Sequence, residues 1–266
     1  MNSVVSKDGT SIGFSRLGRG PAVILVDGAL CYRDLGLSGP LARLLEPKFT
    51  VYTYDRRGRG RSGDTQPYSV EREVEDIDSL VREAGGSAFL YGISSGAALG
   101  LEAASRLKGI RKLALYEPPF ITDGSRQPLP GDTLETLSRM IAAGRRGDAV
   151  RLFMKFLGTP DFFVTFMSLS PAWPKLKAIA HTILYDLAIV GDYQRGKPLP
   201  EGSWSSIKVP VIIMEGEKSP AWIKNSIDAF MAIHHGGQRR ILKGQTHDVR
   251  PDILGPVLAD FFENAR

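Results

Sequence analysis

The chain has 266 residues, enough to bury a sizeable core in one large α/β domain or two smaller ones. Hydrophobic residues at 42% and charged residues at 24% are ordinary for a folded globular chain, and no apolar run approaches the roughly 18 to 20 residues that would cross a bilayer. A net charge of +5 raises nucleic acid as a partner, but the densest basic cluster, Arg56-Arg57-Gly58-Arg59-Gly60-Arg61, lies among turn glycines and reads as solvated surface, so neither nucleic acid nor a membrane is expected.

The opening stretch, Met-Asn-Ser-Val-Val-Ser-Lys-Asp, has no charged-then-apolar export signal. With Cys31 as the single cysteine, no intrachain disulfide can form, and the two features together predict a cytoplasmic protein. Ser11 to Leu17 alternates like an exposed strand. Ala22 to Val26 is continuously apolar, as for a strand buried on both faces, and Phe49 to Tyr54 repeats that character. Glu71 to Ala84 has helical spacing, with Val74, Ile77, Leu80 and Val81 on one face. Ala88 to Tyr91 reads as a strand, Ser95 to Leu107 as a helix of small residues, and Lys112 to Tyr116 as a strand stopped by Pro118-Pro119.

From Phe120 to about Ile207 the strand signal fades and helical spacing takes over. Aromatics and methionines recur there, among them Phe153, Met154, Phe162, Phe163, Phe166 and Trp173, and at helical spacing they are expected to be mostly core. Strands return at Val209 to Met214 and Arg239 to Leu242, with a helix between and a last helix from Ile253 to Phe262. Alternating strands and helices predict a mostly parallel central sheet with helices on both faces. The chain divides accordingly into a core of residues 1–119 and 208–266 and a helical cap of residues 120–207 over the carboxyl edge of the sheet, where open α/β sheets bind ligands.

Gly92-Ile93-Ser94-Ser95-Gly96 matches G-x-S-x-G between a predicted strand and a small-residue helix. That setting turns the chain sharply enough to lift the Ser94 hydroxyl clear of the backbone at a helix N-terminus, which makes Ser94 the candidate nucleophile. The competing reading is a glycine-rich junction with two incidental serines. A serine nucleophile needs a base, and imidazole suits neutral pH. Of the four histidines, His234 and His235 adjoin Gly236-Gly237 in a turn and His181 lies in the helical insertion. His247, in the loop between the last strand and the last helix, stands at the same sheet edge as Ser94 and is the candidate base. A tetrahedral intermediate needs two N–H donors for its oxygen. The Ser95 amide is one, and the Ala29 amide, from the Asp27-Gly28-Ala29 loop after Ala22 to Val26, is the choice for the other.

Taken together, the loop after the early strand, the segment Tyr54-Asp55-Arg56-Arg57-Gly58-Arg59-Gly60-Arg61-Ser62, the nucleophile turn, the insertion and the terminal histidine loop resemble the α/β-hydrolase superfamily in its capped, single-domain form, over essentially the whole chain. The resemblance implies the α/β-hydrolase fold and serine-based hydrolysis of an ester, lactone or related acyl bond. It leaves open cleavage of a carbon–carbon bond beside a ketone, cofactor-free haloperoxidase chemistry with the same residues, and a non-catalytic ligand-binding protein on the same scaffold.

Two positions depart from the family pattern. The usual His-Gly before the oxyanion donor is Asp27-Gly28, and a structural pairing of Asp27 with an arginine of the 56–61 segment is expected. The usual acid position after the penultimate strand is Ser219, which cannot oppose an imidazolium charge. Some family members place the acid after the strand preceding the cap, and here that points to Glu117 in Tyr116-Glu117-Pro118-Pro119. Glu217, or a serine–histidine pair with no carboxylate, remains the alternative. The insertion's apolar residues suit a small, largely apolar substrate, Cys31 reads as a buried inert thiol, and no cofactor or metal is expected. Ser–acid–His, a monomer or homodimer and a small-molecule partner complete the reading.

Overall fold

In the computed structural model, which describes residues 2–264, two strands open the chain as an antiparallel pair, β1 (Asn2–Val5) and β2 (Ser11–Leu17). There follow β3 (Ala22–Val26), α1 (Ser38–Leu45), β4 (Thr50–Tyr54), α2 (Val70–Glu83), β5 (Ala88–Ile93), α3 (Ser95–Arg106) and β6 (Ile110–Tyr116). Five helices come next without an intervening strand: α4 (Thr133–Ala142), α5 (Arg146–Phe156), α6 (Asp161–Ser168), α7 (Ala172–Ala178) and α8 (Ile183–Val190). The chain then closes with β7 (Val211–Gly216), α9 (Ala221–Ile233), β8 (Gln238–Leu242) and α10 (Pro251–Glu263).

The strands form one sheet in the order β1-β2-β4-β3-β5-β6-β7-β8, parallel from β4 through to β8 and antiparallel where β2 meets β1 and β4. Successive side chains of the central strands point to opposite faces, and each face has its own apolar layer. Val23, Leu25, Tyr91, Ala114, Ile212 and Met214 pack against α1 and α10 through Leu41, Leu254 and Leu258. Ile24, Val26, Leu90, Leu113, Leu115 and Ile213 pack against α2, α3 and α9 through Ile77, Ala97 and Ile227. The helices between β6 and β7 gather a third cluster, with Leu137, Val150, Phe153, Trp173, Leu176 and Ile183 around Leu30 and Tyr32 of the loop after β3.

Three local readings need correction. β2 is not an exposed edge: β1 takes the edge, and Ile12 and Phe14 are buried. β1, whose four residues Asn-Ser-Val-Val carry no burial alternation, and α1, whose first turn holds Gly39-Pro40, gave no clear periodic signal. The α6 aromatics are not core, since Phe162 and Phe166 are 76% and 73% exposed. Val164 is the buried residue of that helix and joins the cluster that α5 and α7 form.

Candidate active site

Ser94 lies between β5 and α3, in a conformation (φ 56°, ψ −127°) that belongs to neither element. A Cβ on Gly92 would stand 2.3 Å from the Gly96 carbonyl oxygen, and one on Gly96 would stand 2.4 Å from that of Val26. Both positions flanking the serine are therefore closed to any side chain, which is the physical content of the motif. The Ser94 amide donates to the Tyr116 carbonyl at 2.9 Å and ties the turn to β6. Leu30, Ser94 and Glu117 all have left-handed φ angles, of 58°, 56° and 47°. Each such residue costs on the order of 1–3 kcal/mol, so the backbone strain gathers at the carboxyl edge of β3, β5 and β6.

On one side of β5 the pairing register carries the chain from Ile93 to Tyr116 to Met214. The next residue after Tyr116 is Glu117, fully buried, with its amide donating to the Met214 carbonyl at 3.0 Å. Its Oε1 accepts the Gly216 amide at 2.8 Å and the Ser219 hydroxyl. Its Oε2 lies 2.8 Å from Nδ1 of His247, whose side chain is 46% exposed. The Tyr116 hydroxyl donates to the Thr246 carbonyl at 2.5 Å and fixes the residue before the histidine. A carboxylate accepts only, so Nδ1 carries the hydrogen and Nε2 is left with the lone pair. Ser219, at the position where an aspartate was expected, supplies a donor to Glu117. Glu217 turns elsewhere and accepts the Gly244 amide at 2.9 Å.

On the other side of β5, the loop after β3 lies against the serine: a Cβ on Gly28 would be 3.1 Å from Ser94 Cβ. Ala29 is half-buried in that loop and Ser95 is buried at the start of α3. The sequence-predicted residues thus fall at one edge of the sheet, after β3, β5, β6 and β8. Glu117 and His247 are joined directly, Gly28 touches Ser94, and Ser94 and His247 share no hydrogen bond among the described residues.

Three of the four arginines in the 56–61 run are not solvated surface, while Arg61 is exposed. Arg56, Arg57 and Arg59 are at most 1% exposed. Arg56 forks onto Glu73 with two 2.7 Å bonds and reaches Asp186 at 2.8 Å. Arg57 forks onto Asp76 and meets Asp8 at 2.9 Å. Arg59 meets Asp186 at 2.7 Å. Burial pushes the Asp186 carboxyl upward, but Arg59 and Arg56 outweigh it and hold the group below the usual carboxylate range. Signals for these pairs stood in the sequence: Glu73 and Asp76 lie on the otherwise apolar inner face of α2, and Asp186 is the one charge in Ile-Leu-Tyr-Asp-Leu-Ala-Ile-Val.

With those arginines already paired, Asp27 does not gain the ion pair expected for it. Arg56 reaches its backbone carbonyl at 3.4 Å, and the carboxylate Oδ2 is without a partner among the described residues. Burial, only partly offset by Ser38 and by the charges of Arg59 and Arg56, pushes Asp27 up to about 6. Burial, reinforced by the Asp27 charge, pushes the Cys31 thiol up to about 12, so it stays protonated at neutral pH and is no nucleophile.

The family model described as the alpha/beta hydrolase family matches residues 20–252. The solved structure of an alpha/beta hydrolase from Sphaerobacter thermophilus DSM 20745 is 46% identical, with a TM-score of 0.90, over 98% of this chain and 100% of that one. An enol-lactonase from Burkholderia xenovorans LB400 shares the fold, at 21% identity and a TM-score of 0.67 over 99% and 100% of the two chains. Among curated proteins, an uncharacterized hydrolase of Bacillus subtilis (strain 168) is 33% identical over 105 residues, and the match spans 38% of this chain and 38% of that protein's length.

Proposed function

The chain belongs to the alpha/beta hydrolase family, and we propose that this hydrolase cleaves an ester, lactone or related acyl bond of a small, largely apolar substrate through an acyl-enzyme on Ser94. The observation that carries the proposal is the 2.8 Å bond from buried Glu117, on the strand next to that of Ser94, to His247, at the same sheet edge as a serine with positive φ.

In this mechanism Ser94 Oγ attacks the substrate carbonyl carbon while its proton passes to His247 Nε2. The carbonyl's electron pair moves to its oxygen, which the Ser95 and Ala29 amides receive. Glu117 accepts Nδ1–H throughout, fixes the tautomer and stabilises the imidazolium. Collapse of the intermediate expels the alkoxide, which takes the proton from Nε2. A water then gives a proton to Nε2 as it attacks the acyl carbon, and the second collapse returns that proton to Ser94 and frees the acid. The helices of residues 120–207 act as a cap. Their apolar cluster includes Leu30 and Tyr32 from the oxyanion loop, which favours an apolar acyl or aromatic group over a sugar or phosphate.

A ligand-binding role without turnover was suggested by the serine at position 219. Against that reading weighs buried Glu117, which accepts the Ser219 hydroxyl and lies 2.8 Å from His247 Nδ1. A p-nitrophenyl ester panel tests the proposal together with a fluorophosphonate probe. Turnover abolished in Ser94→Ala, with the probe's mass on the peptide bearing Ser94, is the expected result. Labelling on Ser95, or ester turnover that survives Ser94→Ala, overturns it.

A further inference from the structure

Asp186 is the only charged residue of α8, and both of its oxygens are committed. Oδ1 accepts the Ser95 hydroxyl and an Arg56 nitrogen, each at 2.8 Å, and Oδ2 accepts Arg59 at 2.7 Å. Arg59 in turn donates to the Gly28 carbonyl at 2.7 Å, to the Cys31 carbonyl at 3.2 Å and to the Thr182 hydroxyl at 3.1 Å. One buried carboxylate, delivered by the helical insertion, therefore holds the loop after β3 and the start of α3 at once.

The Gly28 carbonyl and the Ala29 N–H are two ends of one planar trans peptide, so they point in opposite directions. A guanidinium that fixes where the carbonyl points fixes where the N–H points. We propose that Arg59 and Asp186 are positioning residues for oxyanion stabilisation: Arg59 orients the Gly28–Ala29 peptide so that its N–H faces the reacting carbonyl oxygen, and Asp186 holds Arg59 and the Ser95 side chain in register with each other. This inference rests on the reading of Ser94 as nucleophile. Arg56 and Arg59 are balanced by Glu73 and Asp186, so the cluster adds little net charge and acts through geometry. Neither residue need touch substrate, and the effect falls on the transition state, where the oxygen becomes an anion. Through Asp186, seating of the insertion and assembly of the oxyanion site become one event.

The same turn supplies the control. Arg57 is equally buried and equally ion-paired, with Asp76 and Asp8, and bonds to neither Gly28 nor Ser95. In Arg59→Lys, Asp186→Asn and Arg57→Lys, fluorophosphonate titration counts competent Ser94 sites, and kcat and KM for a p-nitrophenyl ester are then expressed per titrated site. Losing one oxyanion donor outright lowers kcat by about 10²- to 10³-fold. Misorienting one should lower kcat by about 10- to 100-fold in Arg59→Lys and about 10-fold in Asp186→Asn, with KM within about twofold. Arg57→Lys should lower the melting temperature yet keep kcat per site within about twofold. Should Arg59→Lys prove too unstable to titrate, Asp186→Asn, which keeps an acceptor oxygen, carries the test. An unchanged kcat per site in Arg59→Lys or Asp186→Asn, or an equal loss in Arg57→Lys, overturns the inference while leaving Ser94 in place. Ester turnover in the unaltered protein without any adduct on Ser94 removes the nucleophile and the inference together.

Discussion

Two buried carboxylates on opposite flanks of β5, Glu117 and Asp186, are held in opposite ways. Toward β6, β7 and β8, Glu117 is held by neutral donors, the Gly216 amide and the Ser219 hydroxyl, on one oxygen alone. The other oxygen is kept for an imidazole that is half in solvent. Toward β3 and β4, Asp186 and Glu73 are met by guanidinium groups, and among the described residues no imidazole is bonded to either. A carboxylate surrounded by permanent cations is satisfied before any reaction begins and serves to hold loops. One surrounded by neutral dipoles, with an oxygen to spare, can respond when a neighbouring ring becomes charged. The surroundings of a buried acid, more than its burial, separate a chemical role from an architectural one.

The largest effects belong to the first flank. His247→Ala should lower kcat by about 10³-fold or more, and Glu117→Gln by about 10²- to 10⁴-fold. The amide can still bond the ring but cannot offset an imidazolium, and it can hold the wrong tautomer. Glu217→Gln, whose carboxylate serves Gly244, should stay within about twofold in the same stopped assay. Equal losses in Glu117→Gln and Glu217→Gln would erase the distinction between the two glutamates.

A smaller effect belongs to Asp27, whose carboxylate meets neither guanidinium nor imidazole among the described residues. Burial raises its folded-state value from 3.8 to about 6. Between those values the folded state binds more protons than the unfolded chain, so this residue's contribution to stability falls as pH rises across that window. Asp27→Asn should therefore match the unaltered protein near pH 4 and exceed it at pH 7 by about 1–3 kcal/mol. Denaturant titrations at pH 4, 5, 6 and 7 read the difference. A difference that does not grow with pH would mean that Asp27 ionises freely in the folded protein.

What the sequence made legible follows the same division. The strands β3 through β7 announced themselves through apolar runs and stops, because strands buried on both faces cannot hide their composition. The turn around Ser94 was legible because two glycines are sterically required there. Glu117 was named through a vacancy, the serine at 219, but the bond between the two, a Ser219 hydroxyl on Glu117 Oε1, joins residues 102 apart in the chain. The arginine run was misread for a similar reason. Its partners Glu73, Asp76 and Asp186 come from two helices, one of them 130 residues beyond Arg56, and charge in a glycine-rich turn looks the same in sequence whether it is solvated or paired.

The central claim, a Ser94–His247–Glu117 arrangement facing amides on the opposite flank, is tested most directly by the crystal structure of the adduct formed with a p-nitrophenyl phosphonate. The account predicts phosphorus bonded to Ser94 Oγ and the phosphoryl oxygen about 2.7–3.1 Å from the Ser95 and Ala29 nitrogens. It also predicts His247 Nε2 facing the leaving-group side, with Nδ1 still bonded to Glu117. Phosphorus on another residue, a phosphoryl oxygen turned away from both amides, or a His247 ring detached from Glu117 would contradict it.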